Sequence, residues 1–112
     1  MVRVAIRGCY TPKDGEAIFS LLERYSEHPE PPSKFYFDLG DMTEFGLGYL
    51  DVVQQAKRAM QLRFTRRLVF GIYTTSPVTR GFATVFGKFV DKLKLRVVVS
   101  DDREIVEREL RF

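Results

Sequence analysis

One cysteine, one histidine and no tryptophan occur in the 112 residues. With Cys9 alone, no internal disulfide can form, and such a composition suits a reducing compartment, so a cytoplasmic location is the expectation. Cys9 and His28 together fall short of a Cys/His zinc site, so neither a metal nor another cofactor is expected. No apolar run approaches the roughly 20 residues that a membrane-spanning helix needs. Arg3 and Arg7 interrupt the N-terminal run, where a secretory signal would carry an unbroken apolar stretch. Neither a transmembrane segment nor a signal peptide is therefore expected.

The usual catalytic and phosphate-binding motifs are also missing. Gly81–Lys88 (GFATVFGK) has one residue too many between its glycines for a Walker loop and lacks the following Ser/Thr. Gly46-Leu47-Gly48 has Asp51 where a dinucleotide-binding fingerprint requires glycine. Gly15 stands six residues after Cys9, the place of the phosphate-binding arginine in small tyrosine phosphatases. A loop thiol without a neighbouring base is poorly activated. No enzyme activity is expected.

What is present is a core. Hydrophobic residues make up 45% and aromatics 13% of the chain, enough for one globular domain over 1–112. Val2–Gly8 alternates apolar and basic residues and predicts a strand. Thr11-Pro12, with Asp14 behind it, predicts a capped helix that ends before the proline-rich segment 28–32. Ser33–Leu39 predicts a second strand. Phe45–Leu62 predicts a helix with Leu47, Leu50, Val53 and Met60 on one side. Leu68–Tyr73 is apolar almost throughout, as in the middle of a parallel sheet. Ser76-Pro77 opens a third helix with the stripe Val78, Phe82, Val85, Phe86, Phe89, Val90 and Leu93. Leu95–Val99 predicts a fourth strand, and Asp101 with Glu104 predicts the cap of a last helix reaching Leu110. The order β-α-β-α-β-α-β-α predicts an α/β single domain with a mostly parallel four-stranded sheet.

In such a sheet the strand-to-helix turns share the carboxyl edge, where sites of open α/β sheets gather. Gly8–Thr11, Gly40–Thr43 and Thr74–Ser76 converge there, with the acids Asp38, Asp41 and Glu44 close by. Thr11, Thr43 and Ser76 serve equally well as simple helix caps. Phe82, Phe86 and Phe89 can line a pocket or simply fill the core.

Charge is unevenly distributed. Residues 1–56 carry five basic and nine acidic side chains, and residues 57–112 carry thirteen and six. Lys57, Arg58, Arg63, Arg66, Arg67, Lys88 and Lys92 form a candidate basic face for an acidic protein, nucleic acid or anionic lipid. A solvated surface is the alternative.

The run FYFDLGDMTEFGLGYL resembles the centre of STAS domains of the anti-sigma-factor-antagonist type. There an apolar strand ends in Asp-Leu and Gly-Leu-Gly opens a helix. TRGFATVFGKF (Thr79–Phe89) and RVVVSDDREIVERELRF (Arg96–Phe112) are similar to the later half of SpoIIAA-like bacterial proteins of the STAS/SEC14 type. The resemblance implies a SpoIIAA-like fold and a non-enzymatic regulatory or protein-binding module. Its contact surface would be Asp38, Asp41, Thr43, Glu44, Gly46 and Gly48, with Thr74, Thr75, Ser76 and Arg80 in the neighbouring turn. The SEC14 side implies, alternatively, a small-ligand or lipid-binding domain. Two departures stand out. The phosphorylatable serine before Gly-Leu-Gly is absent, because the interval is about three residues shorter than in antagonists, and Thr43 is the only hydroxyl left in it. The strand that usually precedes the first one is also missing, which leaves an edge that a second copy can pair, so a homodimer is a further expectation.

Overall fold

The computed structural model describes residues 1–111; Phe112, the last residue of the domain read from the sequence, lies outside them. The elements are β1 (Val2–Ala5), β2 (Gly8–Tyr10), α1 (Pro12–Ser26), β3 (Lys34–Asp38), β4 (Met42–Phe45), α2 (Tyr49–Met60), β5 (Leu68–Tyr73), α3 (Pro77–Lys88), β6 (Leu95–Ser100) and α4 (Arg103–Leu110). β1, β3, β5 and β6 form a four-stranded, wholly parallel sheet in that order. The α/β class and the four-stranded sheet agree with the sequence pattern.

Right-handed crossovers between neighbouring strands taken in order put their helices on one face, and the packing agrees. Phe19 and Leu22 of α1, Val52, Ala56 and Ala59 of α2, and Phe86 of α3 bury against Phe35, Phe37 and Phe70 of the sheet. Phe35, Phe37, Phe70 and Phe86 form a chain of edge-on and stacked ring contacts. Among the described residues the other face is covered by α4, whose Val106 and Leu110 pack on Tyr36, Val69 and Tyr73. Burying each such apolar side chain contributes roughly 1.5–3 kcal/mol, so α4 rests on few anchors.

Two elements differ from the sequence expectation. The first strand breaks after Ala5. Gly8 has φ +71°, a left-handed conformation open to glycine, and it turns the chain into a second short strand. Met42–Phe45, expected as loop and helix start, is also a strand. β2 and β4 form their own parallel pair, with Gly8 opposite Met42 and Cys9 opposite Glu44. Thr43 is the extra residue of this bulge. At its end the Gly46 N–H donates to the Tyr10 carbonyl at 2.7 Å, and a Cβ on Gly46 would lie 2.7 Å from that oxygen. Glycine is thus required for the close approach.

α2 therefore begins at Tyr49 rather than Phe45, and its phase changes. Val52, Ala56 and Ala59 are buried, whereas Leu50 is 75% exposed. α3 ends at Lys88, so Phe89 and Leu93 leave the predicted stripe and are 48% and 85% exposed. α4 is capped by Asp102, whose Oδ1 accepts the Glu104 N–H at 2.9 Å, not by Asp101. The capping box of Thr11 and Asp14 and the cap of Ser76 form as expected. Among the described residues no helix is long and apolar enough to cross a membrane.

Candidate functional site

The carboxyl edge is built by the strand ends and helix starts, but its residues divide into internal braces and free surface. Asp38 is a brace. Its Oδ1 accepts the Gly40 N–H at 2.9 Å, and its other oxygen accepts a hydrogen bond from Arg103 of α4. The Arg103 guanidinium lies 4.1 Å above the Tyr73 ring. Partial desolvation works to raise the Asp38 pKa, but the Arg103 and Gly40 hydrogen bonds outweigh it and hold the carboxyl below its ordinary value. Both Asp38 oxygens are thus engaged within the fold.

Asp41 and Glu44 face solvent on the rim. Among the described residues Asp41 pairs only with Arg7, at 3.9 Å, with both side chains largely exposed, a contact of little energetic weight. Glu44 stands opposite Cys9. Partial desolvation of the sulfur and the Glu44 carboxylate together raise the Cys9 pKa, which leaves the thiol protonated near neutral pH. Thr43 is exposed on the bulge of β4. It caps no helix, because the N-cap of α2 is Gly48, whose N–H donates to Asp51 at 2.9 Å. Gly46 and Gly48 thus act through the backbone.

The neighbouring turn divides in the same way. Thr74 is 1% exposed; its N–H donates to Ser100 O at 3.1 Å, and its hydroxyl accepts the Ser76 N–H at 3.2 Å. Ser76 accepts the Thr79 N–H at 3.3 Å. Thr75 is exposed. Arg80 pairs with Asp101 at 2.8 Å, while its Nε is buried without a partner. Arg80 is consequently a strut between α3 and the β6–α4 turn.

Free apolar surface lies beside these polar groups, and the sequence pattern missed it. Tyr49 is 52% exposed, Leu50 75% and Val78 62%; all three lie in the first turns of α2 and α3. Sequence reasoning had placed Leu50 and Val78 in the core. For Leu50 the signal is the helix start, which falls at Tyr49 behind Gly46 and Gly48, four residues downstream of the expected Phe45; Val78, in the first turn of α3, faces solvent although that helix starts where expected.

Two concavities flank the helical layer. One, about 90 Å³, lies under the carboxyl edge and has an apolar lining that includes Ile6, Phe37, Phe70 and Phe86, with Tyr10, Gln55 and Thr79 as its polar members. Of the three phenylalanines proposed for a pocket, only Phe86 lines it. Phe82 stacks on Phe45 at 4.8 Å, and Phe89 touches Tyr49. Burial pushes the Tyr10 hydroxyl, which donates weakly to Gln55 at 3.4 Å, up to about 12. The second concavity, about 240 Å³, lies at the amino edge between the α2–β5 and α3–β6 loops.

The basic face is not uniform either. Arg58 is bonded to Glu16 and Glu23 of α1, so it ties two helices together. Lys57, Arg63, Arg66, Arg67, Lys88 and Lys92 are exposed. They form no ion pair among the described residues. Comparison of the chain with models of protein families, with curated proteins and with solved structures gives no match.

Proposed function

We propose that the chain is a STAS-like, non-enzymatic regulatory module that binds a protein partner through its carboxyl edge, in the cytoplasm. The observation that carries the reading is the exposure of Tyr49, Leu50 and Val78 in the first turns of adjacent helices. Large apolar side chains left exposed beside polar residues are characteristic of protein contact surfaces. Asp41, Thr43, Glu44 and Thr75 supply that rim. The local likeness of FYFDLGDMTEFGLGYL to anti-sigma-factor antagonists supports the same edge and the finer fold.

The regulation would not use the antagonists' phospho-switch. Thr43 has Asp41 two residues before it and Glu44 next to it, and a phosphate placed there would meet like charge rather than a helix N-terminus.

The test is capture of partners from the native host with the wild-type chain and with a Leu50→Asp/Val78→Asp variant. Both positions are exposed, so circular dichroism should be unchanged. The wild type should retain a discrete protein that the variant loses. Identical recoveries from both would refute the reading.

A further inference from the structure

At the opposite edge of the sheet a different kind of site is assembled. The segment Lys57–Arg96 carries ten basic residues and a single acid, Asp91. The fold sorts those ten. Arg58 is held by Glu16 and Glu23, Arg80 by Asp101, and Arg96 by Glu109. Arg66, Arg67 and Lys94 instead line the 240 Å³ cleft, with no acidic side chain in its wall. Arg63 and Lys92 are their chain neighbours.

Asp91 does not neutralise this cluster. Its Oδ1 accepts the Leu93 N–H at 2.9 Å, and its carbonyl accepts the N–H groups of Lys94 and Leu95, each at 2.9 Å. The carboxylate keeps its charge, but among the described residues it forms no ion pair with these cations. The walls are also tied to each other. The Leu68 N–H donates to Lys94 O at 2.9 Å, and the Asp91 N–H points at the Met60 sulfur at 3.1 Å. The cations are therefore mounted on braced loops, with no carboxylate in the cleft wall beside them.

The lining is not only cationic. Met60, Leu62 and Leu93 contribute to it, and Leu93 is 85% exposed, an apolar side chain left in water beside two lysines.

We propose that this cleft binds a small molecule with an oxyanion on an apolar body. Arg66, Arg67 and Lys94 hold the oxygens, and the apolar part rests on Met60, Leu62 and Leu93. Guanidinium forks suit carboxylate or phosphate oxygens bidentately. At about 240 Å³ the cleft is smaller than the roughly 300–1,000 Å³ of ordinary ligand pockets, which limits the body to about one ring or a short chain. A single-stranded nucleic acid fits less well. Binding one relies on aromatic faces free to stack on bases, and Phe64, the aromatic residue of this wall, is half-buried and packed edge-on against Phe35 at 6.2 Å.

The test is calorimetric titration of the whole chain with phenyl phosphate. Phenol, inorganic phosphate and a short oligouridylate are titrated in parallel. Phenyl phosphate should bind saturably at one site, more tightly than phenol or phosphate alone. Arg66→Ala/Arg67→Ala should weaken it at least about tenfold without altering circular dichroism, since both side chains are exposed. Leu93→Ser should remove the advantage of phenyl phosphate over phosphate while leaving phosphate binding in place. No saturable binding, binding indifferent to the double substitution, or phosphate binding as tight as phenyl phosphate would each overturn the proposal. So would oligouridylate binding that phenyl phosphate does not displace.

Discussion

The placement of α4 turns on an atom that is missing. Gly71 lies in β5 between Tyr36 of β3 and Val98 of β6, and its face is the one covered by α4. A Cβ there would stand 2.7 Å from Val106 Cγ1 and 2.8 and 3.0 Å from Leu110 Cδ1 and Cγ. Carbon atoms pack best at about 3.5–4.0 Å. Alanine would therefore force α4 outward or drive both anchors off their rotamers. Val106 is 0% and Leu110 2% exposed, so neither has room to yield. Among the described residues only Gly8 has positive φ, so alanine adopts the Gly71 backbone and the clash is purely steric. Overpacking of this kind costs about 1–3 kcal/mol, and the stiffer unfolded chain returns about 0.4–1. Gly71→Ala should thus lose roughly 1–2 kcal/mol, a fall in Tm of roughly 5–10 °C. Leu110→Ala alone should cost about 2–5 kcal/mol by leaving a cavity. Combined, the two should be less damaging than their sum by about 1 kcal/mol or more, because the new methyl enters the vacated space. Urea unfolding of the four proteins measures the cycle. A Gly71→Ala chain as stable as wild type, or strict additivity, would refute this account of how α4 docks.

Asp38→Asn should lower stability by about 1 kcal/mol or less at pH 7, since solvent screens a pair this exposed. Because the folded-state pKa of Asp38 is depressed, its contribution is present above the ordinary carboxylate value of about 3.9 and lost as pH falls through the folded value; urea midpoints of the two chains should converge there. Glu44→Gln removes a negative charge that raises the Cys9 pKa; alkylation of Cys9 by iodoacetamide at pH 8 should speed up, and an unchanged rate would count against that electrostatic account. Ala83→Leu points extra volume into the 90 Å³ apolar concavity and should raise thermal stability by at most about 2 kcal/mol, the cost of a void that size; a loss of stability would mean that the space is already filled by packing motions.

The strands and caps that depend on near neighbours could be read from the chain. β5 is six residues of nearly continuous apolar sequence, and burial on both faces follows from that alone. The Thr11–Asp14 box and the Ser76 cap need three or four residues each, and both form. β4 was illegible for the opposite reason. Its four residues gain strand geometry only by pairing with β2, more than thirty positions earlier, and no local period reports such a partner. The error propagated: with Met42–Phe45 read as the approach to a helix, the phase of α2 was set too early, and Leu50 was placed inside. The Leu50 part of the apolar rim that now carries the proposed partner surface was hidden by that phase, and Val78 by the stripe read along α3.

Charge shows the same division. The basic excess of residues 57–112 is plain in the chain, yet its meaning depends on partners that composition does not locate. Arg58 finds Glu23, 35 residues away; Arg80 reaches Asp101; and Asp38, one of three acids expected at the carboxyl edge, is taken by Arg103, 65 residues away. Each of these pairings removes a candidate from the surface and leaves its neighbours more conspicuous. Once Arg58, Arg80 and Arg96 are neutralised, the remaining cations are no longer a diffuse face over two helices. They concentrate in the loops at the amino edge, while the acids and apolar side chains concentrate at the carboxyl edge. The two ends of the sheet thus present opposite chemistries, and a ligand at one need not compete with a protein at the other.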